Sequence, residues 1–160
     1  MADTLTTEQR KLNMSRIRGR NTKPEMLIRR GLHARGFRYR LHDNTLIGRP
    51  DLVLLKFRVV VFVHGCFWHG HDCPMFRLPA TNAKFWSDKI QANRQRDAKA
   101  CISLAQQGWR ILTIWECALR GPGRLSVDAV LDTCSNFIVG GELSCNLESV
   151  KIHRPAKDDL

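Results

Sequence analysis

The stretch VVVFVHGCFWHGHDCP, residues 59–74, begins as one kind of structure and ends as another. Its opening run of valines and phenylalanine has no polar alternation, the pattern of a strand buried on both faces. His64 ends the run, and two cysteines, two more histidines and a Phe-Trp pair follow at once. Upstream lies PDLVLL (50–55), separated by KFR (56–58), a break short enough for a hairpin; those two strands run antiparallel. Downstream, NAKFWSDKIQANRQRDAKACISLAQQG (82–108) reads as a long helix that stops at Gly108. WRILTIWE (109–116) is then a further strand. Strand, crossover helix and strand make a βαβ unit, which puts 59–64 and 109–115 parallel in one sheet. The expected class is α/β (mixed α+β), with a mixed sheet flanked by helices.

The flanks complete the plan. FRYRLH (37–42) alternates as a half-buried strand. In NTKPE, Thr22 is a helix N-cap, Pro24 sits in the first turn, and Glu25 follows the cap by three residues, as in a capping box. That helix presents Met26, Ile28 and Leu32 and stops at Gly36. Ser126 caps a last helix near 127–138. If Leu54 pairs with Val60 in the hairpin, Asp51 lies opposite Val63. The division expected is a basic arm over 1–21 (a short helix, or an arm ordered by its partner), one domain over 22–139, and a weakly patterned tail over 140–160.

Charge narrows the partners. Lys and Arg number 26 against 15 Asp and Glu, a formal +11 in 160 residues. Such an excess favours a polyanion, and Arg16, Arg18, Arg20 and Lys23 crowd the arm, where they would grip phosphates. No run of apolar residues is long enough for a membrane span, and the N-terminus has no secretory segment, so a cytosolic protein bound to nucleic acid is expected. In that setting the six cysteines are thiols rather than disulfides. Cys101 and Cys134 fit core positions in helices, Cys145 sits in the unplaced tail, and Cys66, Cys73 and Cys117 remain.

The strand order gathers chemistry at one edge. Asp51 begins its strand where His64 ends the next, and the parallel partner ends at Trp115-Glu116-Cys117. Five N/S donors converge there for a structural zinc that needs four. A local set would use Cys66, His69, His71 and Cys73. A set that includes Cys117 frees one histidine beside Asp51 and is favoured because it closes a longer loop. Asp51 is a hard oxygen ligand suited to magnesium, and His64 with the spared histidine can move protons near neutral pH. Metal-assisted phosphodiester hydrolysis uses such a set. The rival, a non-catalytic zinc-dependent DNA-binding module, leaves Asp51 and His64 without a task.

GRPDLVL, VFVHGCFWHGHDC, PATNAKFW and GWRILTIWECAL, together with MSRIRGRNTKPE, resemble the very-short-patch-repair (Vsr) endonucleases over roughly residues 13–120. The resemblance implies the PD-(D/E)xK restriction-endonuclease-like fold. It also implies cleavage of one strand of duplex DNA 5′ to the thymine of a T·G mismatch, the lesion left when 5-methylcytosine deaminates. It assigns Mg²⁺ to Asp51 and the main-chain carbonyl of Val63, with Glu25 assisting through metal-bound water. Proton transfer and phosphate stabilisation fall to His64 and His69, and zinc to Cys66, His71, Cys73 and Cys117. Phe67, Trp68 and Trp86 become aromatic residues inserted beside the mismatch. Valine at 63 replaces the family's threonine, a change of little weight where the main-chain carbonyl does the work. A monomer, with mismatch-repair proteins as possible partners, is the expected working form.

Overall fold

The computed structural model describes residues 5–17 and 19–150. Arg18, expected among the phosphate contacts, lies outside the described residues. One five-stranded sheet runs in the order β1 (Arg40–Leu41), β2 (Leu52–Leu54), β3 (Val59–His64), β4 (Arg110–Trp115) and β5 (Ser144–Leu147). The first two pairings are antiparallel and the last two parallel, so the sheet is mixed as expected. The helices are α1 (Thr7–Arg16), α2 (Lys23–Ala34), α3 (Ala83–Gln106), α4 (Glu116–Leu119) and α5 (Val127–Val139).

Side chains alternate across the sheet and build two cores. On one face Leu52, Leu54, Val59, Val61, Leu112 and Ile114 meet Ile28 and Leu32 of α2 and Val130, Cys134, Phe137 and Ile138 of α5. On the other, Val53, Val60, Phe62 and Ile111 meet Leu104 of α3 and Trp109. Both faces of β3 are thus covered, which is why its sequence does not alternate. The α3 crossover between parallel β3 and β4 carries the chain back across the sheet.

Three expectations change. The hairpin register is Leu54 with Val59, one residue from the expected pairing with Val60. A 3₁₀ turn over Leu55–Phe57 closes on Arg58 in the left-handed region (φ 55°), and this connection brings Val59 opposite Leu54. The Arg58 carbonyl accepts Arg110 N–H at 2.8 Å, and its guanidinium lies over the Trp109 ring. FRYRLH contributes only two strand residues, both exposed, because Phe37 and Tyr39 instead pack against the α2–α5 core. Finally, the tail joins the sheet. β5 pairs in parallel with β4, Leu112 opposite Cys145, and Val150 N–H donates to the Gly123 carbonyl at 2.9 Å. The folded unit therefore extends through 150. The arm, for its part, holds α1, started by a capping box between Thr6 and Gln9.

Candidate active site

Asp51 stands at the start of β2, on the rim where β3 ends. Its Oδ2 accepts the Val63 N–H at 2.7 Å, so the register slip moves the strand partner without moving the carboxylate from the edge. Burial, first, raises the Asp51 carboxyl to about 6 against the Val63 hydrogen bond that lowers it, and the Glu25 carboxylate nearby contributes to the rise. Glu25 is 2% exposed. Its Oε2 accepts the Asn21 N–H at 2.9 Å, one residue before the expected capping-box donor, while Thr22 Oγ1 accepts the Glu25 N–H at 3.4 Å. Oε1 faces Arg29 at 3.4 Å. A buried carboxylate (Glu25) beside a half-buried one (Asp51) held off its ordinary pKa by desolvation suits a divalent cation.

His64 and His69 stack face to face, ring centres 3.8 Å apart and planes within 4°. Burial, first, and the neighbouring His69, second, drive the His64 pKa down to about 3, so this ring is neutral at working pH. Its Nδ1 is buried and without a hydrogen-bond partner. His69 Nδ1 lies 2.5 Å from Asp97 Oδ2 on α3. An ionised carboxylate only accepts, so Nδ1 is the donor to Asp97, and in the neutral ring Nε2 is the acceptor. Val63, His64, Gly65, Trp68, His69 and Glu116 line a cavity of about 480 Å³, which α1's end and the start of α2 border through Ile17 and Pro24.

The loop after β3 is held tightly on α3. Gly70 has φ 60°, and a Cβ there would meet Ile90 Cγ2 at 2.5 Å, so only glycine passes. Asn93 Nδ2 donates to the Trp68 carbonyl at 2.8 Å. This seat brings Phe67, Trp68 and Trp86 together edge to face, with ring centres 5.2 to 5.8 Å apart. All three are half-buried, not the bare wedge that two loop aromatics suggest, because they cover one another; Phe85 is the open one, at 58% exposure. Trp86 lies outside both cores, at the surface end of α3. Lys89 sits over Trp68 and Trp86, each at 5.6 Å. Arg16, Arg20 and Lys23 are exposed.

Cys66, Cys73 and Cys117 bring their sulfurs within 4.8 Å of one another. None is in a disulfide. Main-chain N–H groups point at two of them: Cys117 N to Cys66 Sγ and Ser149 N to Cys117 Sγ, both 3.3 Å. Such donors stabilise negative sulfur, whereas burial pushes the Cys66 and Cys73 thiols up from their ordinary pKa. A cation that takes thiolates resolves that conflict. His71 stands outside the trio. Its ring stacks on Trp115 (4.1 Å), and its buried Nε2, without an aligned hydrogen bond, is 3.0 Å from Glu148 Oε2.

Sequence reasoning missed two groups at this edge. Asp97 hides in the charged RQRDAK face of α3, where it looks like solvated surface. His42 closes the FRYRLH strand and touches both Glu25 and Asp51; its place after a strand end, beside the Asp51 loop, was the available signal.

A family model described as DNA mismatch endonuclease Vsr matches residues 2–75. The DNA mismatch endonuclease Vsr of Escherichia coli K12 is 40% identical over 153 residues, 96% of this chain and 98% of that protein. The chain belongs to the Vsr family. The type II nicking enzyme V.XorIIP of Xanthomonas oryzae pv. oryzae is 46% identical over 125 residues, 78% of this chain and 92% of the relative. V.NmeAIP of Neisseria meningitidis, another type II nicking enzyme, is 44% identical over 120 residues, 75% of this chain and 86% of its own. The mixed sheet with helices on both faces fits the restriction-endonuclease-like fold of the Vsr family. Among the described residues no helix is long and apolar enough to cross a membrane.

Proposed function

We propose that the protein, as a monomer, nicks one strand of duplex DNA on the 5′ side of the thymine of a T·G mismatch, with magnesium, and so starts very short patch repair. Membership of the Vsr family makes it a DNA endonuclease. One observation supports the finer reading. Val63, His64, His69 and Trp68 open on a single cavity, and Asp51 is hydrogen-bonded to its wall through Val63.

Magnesium held by Asp51 and the Val63 carbonyl, with Glu25 beside it, supplies charge stabilisation at the phosphate. The chain's own groups handle the protons. Hydrolysis joins a water oxygen to phosphorus and breaks the P–O3′ bond, leaving 5′-phosphate and 3′-hydroxyl ends; one proton leaves the water and one reaches O3′. His69, with Nδ1–H committed to Asp97, accepts a proton at Nε2. His64, kept neutral and lining the same cavity, has an N–H to offer the phosphate. The exposed Arg16 and Arg20 of the arm and Lys23 at the start of α2 hold backbone phosphates. A structural zinc rests on Cys66, Cys73 and Cys117, with His71 as fourth donor, because His69 is already committed to Asp97.

Two expected results follow from these roles. Asp97→Asn slows single-turnover nicking about 10²-fold, within the range general acid–base groups contribute, because an amide can hold the wrong tautomer of His69. Duplex affinity stays unchanged in a gel-shift titration; an unaltered rate would remove Asp97 from the proton path. Trp68→Ala tests mismatch recognition. Unstacking a base step costs a few kcal/mol and least at a mismatch, so an aromatic wedge converts that difference into selectivity. The variant should lose its preference for T·G over C·G duplex while binding C·G as before. A preference that survives in both Trp68→Ala and Phe67→Ala would refute the wedge.

A further inference from the structure

His42 has a backbone and a side chain that core packing does not explain. Its φ is 46°, in the left-handed region that residues with a Cβ seldom enter. The sheet sets its position: His42 N–H donates to the Asp51 carbonyl at 3.1 Å, which continues the β1–β2 ladder by one pair beyond Leu41 and Leu52. The ring then contacts two carboxylates. Nε2 is 3.0 Å from Glu25 Oε1, and Nδ1 is 3.9 Å from Asp51 Oδ1. Nε2 is buried and yet forms no aligned hydrogen bond. One ligand atom from each of Glu25, His42 and Asp51 falls within a 4.8 Å group. The two nitrogens face different carboxylates, so the ring contacts both, while one oxygen of each carboxylate lies within 4.8 Å of the other.

We propose that His42 is a positioning residue, whose ring spaces the Glu25 and Asp51 carboxylates at the separation a divalent cation spans. The proposal rests on the reading of Asp51 as the cation ligand. Neighbouring like charges repel, and a rigid ring in contact with both carboxylates fixes where they stop. The left-handed backbone aims the ring there; an extended residue 42 would point its side chain elsewhere. Asp51 is also tied to Val63, so the spacer acts chiefly on Glu25, which reaches the site from a different element, α2.

The test uses the full-length enzyme and three variants. His42→Gly frees the backbone and deletes the ring, His42→Asn keeps a polar group that tolerates the left-handed region, and His42→Ala deletes the ring while keeping a Cβ. Mn²⁺ binding without DNA, read by calorimetry, and the Mg²⁺ dependence of nicking on a T·G duplex are measured for each. Expected for His42→Gly is a melting temperature no lower than the parent's, with Mn²⁺ affinity and the half-saturating Mg²⁺ concentration each worse by about tenfold or more. The rate at saturating Mg²⁺ should fall less than that, and His42→Asn should recover part of the metal affinity. If His42→Gly and His42→Ala both fold and bind Mn²⁺ within twofold of the parent, the proposal is overturned. The same holds if metal affinity falls only in step with melting temperature across the three variants, since that marks a purely structural role. A parent enzyme that binds Mn²⁺ but does not nick would count against the proposed function, and the calorimetric comparison would still decide the role of His42.

Discussion

Asp51→Asn should bind T·G duplex as tightly as the parent and nick it about 10³-fold more slowly with magnesium. A cation at the phosphate is worth several kcal/mol of transition-state stabilisation, and each 1.36 kcal/mol is a factor of ten. An amide at position 51 still accepts the Val63 N–H, so the rim keeps its shape while the charge that attracts the cation is gone. The same substitution should stabilise the metal-free protein. The folded Asp51 carboxyl is raised from 3.8 to about 6 by burial, so ionising it costs the folded state about 3 kcal/mol. The sign follows from linkage. A carboxyl whose folded pKa lies above its unfolded pKa carries no penalty at low pH, gains it as pH rises from about 4 to about 6, and keeps it above that. In magnesium-free buffer at pH 8 the variant should therefore melt roughly 6–12 °C above the parent, at about 2–4 °C per kcal/mol for a domain of this size. The gap should close towards pH 4, and added Mg²⁺ should narrow it at pH 8 by stabilising the parent alone. Equal melting temperatures at pH 8 would mean that the carboxylate is not strained by its burial.

The second large effect concerns the thiol cluster. Cys117→Ser should carry less than about a fifth of the parent's zinc and melt well over 10 °C lower, given the roughly 10–16 kcal/mol of apparent folding free energy that structural zinc supplies. The sulfur trio links the loop after β3 to α4 and, through Ser149 N–H, to the segment after β5. Its loss should loosen the seat of His69 and Trp68 as well, so nicking should fall together with zinc content. Metal analysis of the purified variant decides the matter. Full zinc in Cys117→Ser would favour the local set of Cys66, His69, His71 and Cys73, and would take His69 out of the proton path.

The parts of this design that were legible from the chain are those written in strong local patterns. VVVFVH could be read as doubly covered because its residues have no polar face, and β3–α3–β4 then followed from connection rules. That alone brought Asp51, His64, the ligand loop and Cys117 to one edge. The β5 strand was illegible for a physical reason. It lies at the border of the sheet and buries only Leu147 fully, so Ser-Cys-Asn-Leu carries almost no periodic signal. The hairpin register slipped by one because the left-handed Arg58 that closes the turn has no glycine to announce it. Asp97 and His42 were missed because each acts on a neighbour far along the chain: Asp97 orients a ring 28 positions away, and His42 meets Glu25 only after α2 folds back on the sheet. Glu25 was seen as a cap. Its Oε2 does hold a main-chain N–H at the α2 start, and Oε1 faces His42 and Arg29, so both readings describe the same side chain.

The central claim is that a carboxylate and two stacked imidazoles at the end of β3 hydrolyse one strand beside a mismatch. A T·G duplex labelled separately on each strand, incubated with the parent enzyme and Mg²⁺ under single-turnover conditions, tests it most directly. The account predicts one product, from the T-containing strand, cut 5′ to the mismatched thymine and carrying a 5′-phosphate, with no cut in the matched duplex. Cleavage of the G-containing strand, or of matched and mismatched duplexes alike, would contradict it.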